Sequence, residues 1–430
     1  MELEDLAPWA EAFAAYCARF DDLFVRSESR AQARKYLRGL VAPVERKTSW
    51  QLAELAHDTT PDRMQRLLYR VPWDADAARD RLEQFVIERF GDPEGIGVLD
   101  ETGIPKKGTR SVGVAKQYCG AVGKLENCQV ATLLSYASER GHVFLDRRLY
   151  LPEAWCSDHE RRRRAHVPET ERFQTKPEQA RLMLEHAWEL GVPMQWVTGD
   201  SVYGESTPLR QATRARRQVV CAGGDLPHAG LAGAATRLLA PAEQTGGRPR
   251  RKVRLAPGAP KAQTVADVIA ELPRQRWRRL SVGLGAKGAR IYDWTCLRVS
   301  ESRDDLPGPE VWLLARRSVS QPDESAYYLA SPPPTVPLRR LAQVASTRYT
   351  VEQCIEEAKG GTGFDRYEVR TWASWYRHIT LSLLAHAWLA DRRSHTGAES
   401  GGKSRAGGVD RTSGAAVARD RPAAPRALQP

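Results

Sequence analysis

From Ala10 to Val25 large apolar side chains recur at every third or fourth position (Phe13, Tyr16, Phe20, Phe24), the spacing of one helix face. A second helical pattern, Ser49–Ala56, follows the basic turn Arg46-Lys47. Thr59-Thr60-Pro61 then supplies a cap and first-turn proline for another helix, Asp62–Tyr69. The pattern predicts a helical N-terminal domain over residues 1–90. Its two short helices joined by a tight turn have the outline of a helix-turn-helix, a probable DNA-binding domain, although a plain helical bundle fits the spacing equally well.

At Gly95 the period changes. Ile96–Leu99 is a short apolar run that closes on Asp100, and Trp196-Val197-Thr198 is another that closes on Asp200. Between them lie strand-like segments at Val114–Tyr118, Cys128–Tyr136 and Val143–Leu151, then a helical pattern from Pro177 to Leu190. This order predicts an α/β domain, a mixed sheet flanked by helices, whose first part spans residues 91–209. Residues 210–340 break the alternation. Strand candidates at Trp277–Val282, Arg290–Val299 and Val311–Ala315 predict a β-rich insertion, with Gly246–Lys261 as an exposed Gly-, Pro- and Arg-rich loop. Helices return over 341–393. Residues 394–430 hold almost no large apolar side chains and read as a disordered basic tail.

Charge adds a partner class. The net charge is +12 and the isoelectric point about 9.5. A basic excess rich in Arg favours a polyanion, because each neutralised phosphate releases counterions, but a merely basic soluble protein has the same composition. The seven cysteines (17, 119, 128, 156, 221, 296, 354) form no C-x-x-C pair, which fits a reducing compartment without a structural zinc site. The N-terminus is acidic and amphipathic, unlike a secretory signal, and no run is long enough to span a membrane. These features predict a cytoplasmic protein.

An aspartate after a strand is ordinary turn chemistry, so a third carboxylate decides the matter. Thr350–Lys359 reads as a helix ended by Gly360-Gly361. At about 100° per residue, Arg348, Glu352 and Lys359 project within about 40° of one another, beside an apolar stripe of Val351, Cys354, Ile355 and Ala358. Glu357 points away from that seam. A salt-bridged surface helix is the competing reading, since Arg348 and Glu352 are an i,i+4 pair.

Arg348, Glu352 and Lys359, with "LDETGIPKKG" around Asp100, "VTGDSVYG" around Asp200 and "FDRYEVRTWASWYRHITLSLLAHAWLA" after the glutamate, resemble the DDE transposases of bacterial insertion sequences. The resemblance covers roughly residues 30–390. It implies an RNase H-like catalytic domain with a β-rich insertion before the glutamate helix. Asp100, Asp200 and Glu352 would be catalytic and would bind two Mg²⁺ or Mn²⁺ ions for in-line phosphodiester displacement. It also implies binding of double-stranded DNA, both element ends and target, a homo-oligomer in the DNA complex, and nucleoid association. Arg348, Lys359, Tyr203, Lys106 and Lys107 are the phosphate-binding candidates. Where the family signature usually has Tyr, this chain has Ala345, so that phosphate contact is either missing or supplied by Tyr349 or Tyr203. Some relatives handle a flipped base with a tryptophan of the insertion, for which Trp277, Trp294 and Trp312 are the candidates. Two other readings are a catalytically decayed DNA-binding relative and another RNase H-like nuclease; the 152-residue separation of Asp200 and Glu352 disfavours the latter.

Overall fold

The computed structural model describes residues 3–404 except 217–218, 225–229, 233–237, 240–253, 256–257, 260–261, 286–287, 304–305, 322–323 and 332–334. Five helices come first: α1 (Leu3–Ala18), α2 (Ser27–Val41), α3 (Ser49–Leu55), α4 (Asp62–Tyr69) and α5 (Ala75–Phe90). The Asp74 carboxylate starts α5 by accepting from the Asp76 and Ala77 amides, which satisfies donors that a helix N-terminus leaves open. The sheet follows as β1 (Ile96–Pro105), β2 (Ala115–Cys119), β3 (Lys124–Ser138) and β4 (Gly141–Tyr150). Next come α6 (Glu153–Ser157), α7 (His159–Arg164), α8 (Lys176–Glu189), β5 (Trp196–Gly199), α9 (Ser201–Gly204), α10 (Thr207–Ala215) and β6 (Val219–Gly224). A reciprocal capping box between Thr175 and Glu178, with Pro177 in the first turn, fixes where α8 begins.

β1 pairs antiparallel with β3 and parallel with β5, β3 pairs antiparallel with β4, and β5 pairs parallel with β6. The order β4-β3-β1-β5-β6, an antiparallel meander continued by two parallel strands, is the RNase H-like arrangement. From Cys128 to Ala137 β3 is buried at every position, as expected of a central strand covered on both faces.

The insertion follows β6 as β7 (Gly230–Ala232), β8 (Leu238–Leu239), β9 (Arg254–Leu255), α11 (Val265–Ala270), β10 (Arg278–Gly285), β11 (Gly288–Arg303), β12 (Leu306–Ser318) and β13 (Ser325–Ala330), with β8 and β9 paired as a separate two-stranded sheet. β13 pairs with β6, so the strands β10 to β13 extend the core sheet rather than forming a separate layer. α10 straddles residue 210 and β6 lies past it, yet β6 pairs with β5 and α10 packs on β6 and α8. Most of the Gly246–Lys261 loop lies outside the described residues; Arg254–Leu255 within it is β9.

Three helices close the chain: α12 (Leu338–Thr347), α13 (Tyr349–Gly361) and α14 (Trp372–Ser404). The first structural unit is residues 1–391. Within it the N-terminal helices share one hydrophobic core with α14. Trp9, Phe13 and Tyr16 meet the Trp388 ring with centroids 6.1, 5.4 and 5.4 Å away. The Tyr16 hydroxyl donates to the Leu384 carbonyl at 2.8 Å, and Tyr36 bonds His378 Nδ1 at 2.8 Å. The second unit, residues 392–430, contains the end of α14; helix persists to Ser404, past the expected boundary at 394, and residues 405–430 lie outside the described residues. Among the described residues no helix is long and apolar enough to cross a membrane.

Candidate active site

β1 does not stop at Asp100. Its ladder with β3 runs on to Pro105, and only its pairing with β5 ends, at Leu99–Gly199. Asp100 is therefore mid-strand, at the point where its parallel neighbour gives out, and Asp200 is the first residue beyond that neighbour. Two consecutive register positions thus bring the two aspartates side by side. Gly199 permits the close turn: a Cβ there would come within 3.2 Å of the Tyr203 Cβ and 3.4 Å of the Leu99 Cβ. Asp200 also caps the single turn of α9, accepting from the Val202 amide at 3.0 Å.

Carboxylate oxygens of Asp100, Asp200 and Glu101 all lie within 4.8 Å of one another. Glu101 was not among the expected residues, although it directly follows Asp100 in "LDETG". It is held on both oxygens, by Lys176 Nζ at 2.6 Å from the start of α8 and by the Tyr203 hydroxyl at 2.8 Å. Tyr203, a phosphate-binding candidate, is 2% exposed and its hydroxyl faces this carboxylate. Burial first, and like charges after it, weaken the acids of this site. Burial pushes Asp100 up to about 7; the charges of Asp200 and Glu101 add to the rise, and the Glu101 amide and Arg348 oppose it. Asp200 is raised too, by burial first and then by Glu101.

Glu352 is outside this trio. It sits on the first turn of α13, a helix that packs on β1, β3 and β4. Its carboxylate is half-exposed and pairs with Arg348 at 3.4 Å. Burial works against the Arg348 charge, but Glu352 and then Asp100 more than offset this and hold the guanidinium above its ordinary value. One guanidinium therefore links Glu352 to the aspartates. Glu357 is taken up by His386 at 3.0 Å and His142 at 3.4 Å, on the other side of the helix.

Lys359 reaches back to β1, where Nζ donates to Thr102 Oγ1 at 2.7 Å and to the Gly103 carbonyl at 3.3 Å. Burial lowers its pKa. Lys106 follows β1, donates to the Tyr367 carbonyl at 2.9 Å and lies 3.5 Å over that ring; burial pushes it down to about 8. Lys107 is exposed.

Ala345 is wholly buried in the cluster that includes Trp294, Tyr328 and Val351, so its position has no room for a phosphate-facing ring. Tyr349 stands nearby with its hydroxyl bonded to Arg316 and the guanidinium carbons of Arg290 and Arg348 each 5.0 Å from its ring. Of the three tryptophans, Trp294 is wholly buried and stacked on Tyr328 at 6.0 Å. Trp277 and Trp312 are partly exposed beneath Arg317 and Arg298.

A family model described as DDE superfamily endonuclease matches residues 19–289, more than half of the chain. The chain belongs to the DDE superfamily of endonucleases. The match takes in Asp100, Glu101 and Asp200 and ends before Glu352. The chain is also similar to a probable transposase for insertion sequence element IS701 from Microchaete diplosiphon, 29% identical over 202 residues, which is 46% of this chain. The aligned stretch spans half of that relative's length. A solved piggyBac transposase synaptic complex with hairpin DNA aligns over 87% of this chain and 68% of its own, at 10% identity and a TM-score of 0.39. Superfamily membership carries with it dependence on a divalent metal, and the donor set here suits one: hard cations take carboxylate oxygens.

Proposed function

We infer that this DDE-family chain is the transposase of an insertion sequence, which binds the element's terminal inverted repeats as double-stranded DNA, cleaves them and joins the 3′ ends to target DNA. The observation that carries the reading is the convergence of Asp100, Glu101 and Asp200 within 4.8 Å at the edge where β5 ends, with the Arg348–Glu352 helix alongside. Burial, and after it the neighbouring carboxylates, raise the pKa of Asp100 and Asp200, and three carboxylates this close offer oxygen ligands that fit a divalent cation.

Asp100 and Asp200 would hold Mg²⁺ or Mn²⁺, two per site, with Glu352 completing the set once it leaves Arg348. A bound pair of such ions would stabilise the attacking and leaving oxygens of an in-line phosphodiester displacement. Glu101, occupied on both oxygens, orients the cluster through Lys176 and Tyr203. Arg348 and Lys359 present positive charge to phosphates beside the scissile bond, and Tyr349 among its guanidinium groups takes the place of a tyrosine at 345. Assembly as a homo-oligomer on the DNA belongs to the same reading.

The test is cleavage of duplexes taken from the DNA flanking the gene, with Mg²⁺ or Mn²⁺. Wild-type protein should nick at the element boundary, and Asp200→Asn should bind but not nick. Nicking by Asp200→Asn at the wild-type rate would return Asp200 to a turn-forming role. Binding without nicking by the wild type would favour a decayed relative.

A further inference from the structure

Five residues along β1 from Asp100, the strand delivers Pro105 to the rim of an open groove of about 820 Å³. Arg46, Lys106, Lys107, Arg110, Arg366 and Arg370 line it, against two acids, Asp365 and Glu368. Arg46, Lys107, Arg110 and Arg370 are exposed, and none of the four makes an ion pair among the described residues. A second groove of about 460 Å³ adjoins the first, sharing Thr48, Arg366, Tyr367, Glu368 and Arg370 with it. Its far wall is the α3–α4 helix pair, which contributes Gln65 and two exposed aromatics, Trp50 (59%) and Tyr69 (41%).

The trough thus has a basic half next to β1 and a half with exposed aromatic and amide side chains against the helix pair. Unpaired arginines of that density are phosphate-binding chemistry. β1 also fixes the distance. At about 3.4 Å per residue, the five steps from Asp100 to Pro105 span roughly 17 Å, and a duplex advances 3.4 Å per base pair, so the rim is about five base pairs from the carboxylates. Lys359, fastened to Thr102 and Gly103, lies between the two.

We propose that this trough is the track for the duplex flanking the cleavage site: Arg46, Lys107, Arg110 and Arg370 hold its phosphates from about five base pairs outward, and the helix pair meets it beyond. This deepens the transposase reading and rests on it. Segment 365–371 has the pivotal place, because it lines both grooves and joins the two halves of the trough. The acids of the lining are few enough to leave the surface strongly positive.

The experiment compares full-length wild type with Arg46→Ala/Lys107→Ala/Arg110→Ala for binding to a fluorescein-labelled 30-base-pair DNA duplex across a salt series. At about 0.9 per lost phosphate contact, the logarithmic salt slope should fall by about 2.7. Ethylation interference on the nicked duplex should mark phosphates about five pairs from the nick for wild type and lose those marks in the variant. Because all three side chains are exposed, an unchanged thermal melt is expected; the single charge reversal Lys107→Glu should lower the slope by about 0.9 with less disturbance. An unchanged slope in a variant that melts normally, or interference marks confined to the nick, would overturn the track. An RNA duplex held as tightly, with the same fall in slope, would overturn it as well. Wild type that binds no duplex at any salt would instead sink the transposase reading itself.

Discussion

Divalent metal binding at Asp100 should compete with a proton, and the competition can be sized. Burial and its acidic neighbours place the Asp100 carboxyl at about 7, against 3.8 for a free aspartate. A metal that needs the ionised form has its apparent affinity divided by 1 + 10^(pKa−pH). That divisor is about 11 at pH 6, about 2 at pH 7 and about 1.1 at pH 8, so the apparent Kd should weaken about tenfold from pH 8 to pH 6. A free aspartate would give almost no change over the same range. The raised pKa of Asp200 can only steepen the dependence. Free Mn²⁺ read by electron paramagnetic resonance at pH 6, 7 and 8 measures the Kd directly, and Asp100→Asn should abolish the tight component. The sign has a companion in stability. The folded, metal-free chain takes up a proton at Asp100 between about pH 4 and 7, so this group's contribution should favour unfolding increasingly as pH rises through that window. A Kd for Mn²⁺ that is flat between pH 6 and 8 would refute the account of the cluster.

Three further outcomes are expected. Lys359→Ala should lower stability by about 1 kcal/mol, because the buried Thr102 hydroxyl loses its 2.7 Å partner, and should lower the salt slope of DNA binding by about one; a changed melt with an unchanged slope would leave Lys359 a purely structural role. Ala345→Tyr should destabilise by about 1–3 kcal/mol or more in urea titrations, since a ring must enter a filled core; an unperturbed midpoint would mean that the site can open to solvent. Trp388→Ala should cost about 3–5 kcal/mol and loosen the N-terminal helices together with α14, as read by hydrogen exchange; loosening confined to α14 would contradict a shared core.

The helical start, the strands that carry Asp100 and Asp200, and the β-rich insertion were legible because their apolar periods are long and their bounding turns are plain. So was the helix that carries Glu352, which buries Val351, Cys354 and Ala358. What periodicity could not convey was pairing. Only the ladder to β3 shows that β1 runs past Asp100 to Pro105, and only the parallel pairing of β5 with β6 assigns Val219–Gly224 to the core sheet. Glu101 was overlooked for a related reason. Alternation along a strand sends neighbouring side chains to opposite faces, whereas Asp100 bends back to its own neighbour's amide at 2.8 Å and brings the two carboxylates together. The partners of Tyr203, Lys106 and Lys359 are equally remote in sequence, at Glu101, Tyr367 and Thr102.

The common core of the N-terminal helices and α14 bears on which fragments of the chain can stand alone. Tyr16, Tyr36 and the Trp9–Phe13–Tyr16 face are completed by residues more than three hundred positions later. A product truncated before residue 372 would therefore leave that face exposed to water, with no floor on which to fold. The first ninety residues are therefore not expected to fold as an independent unit.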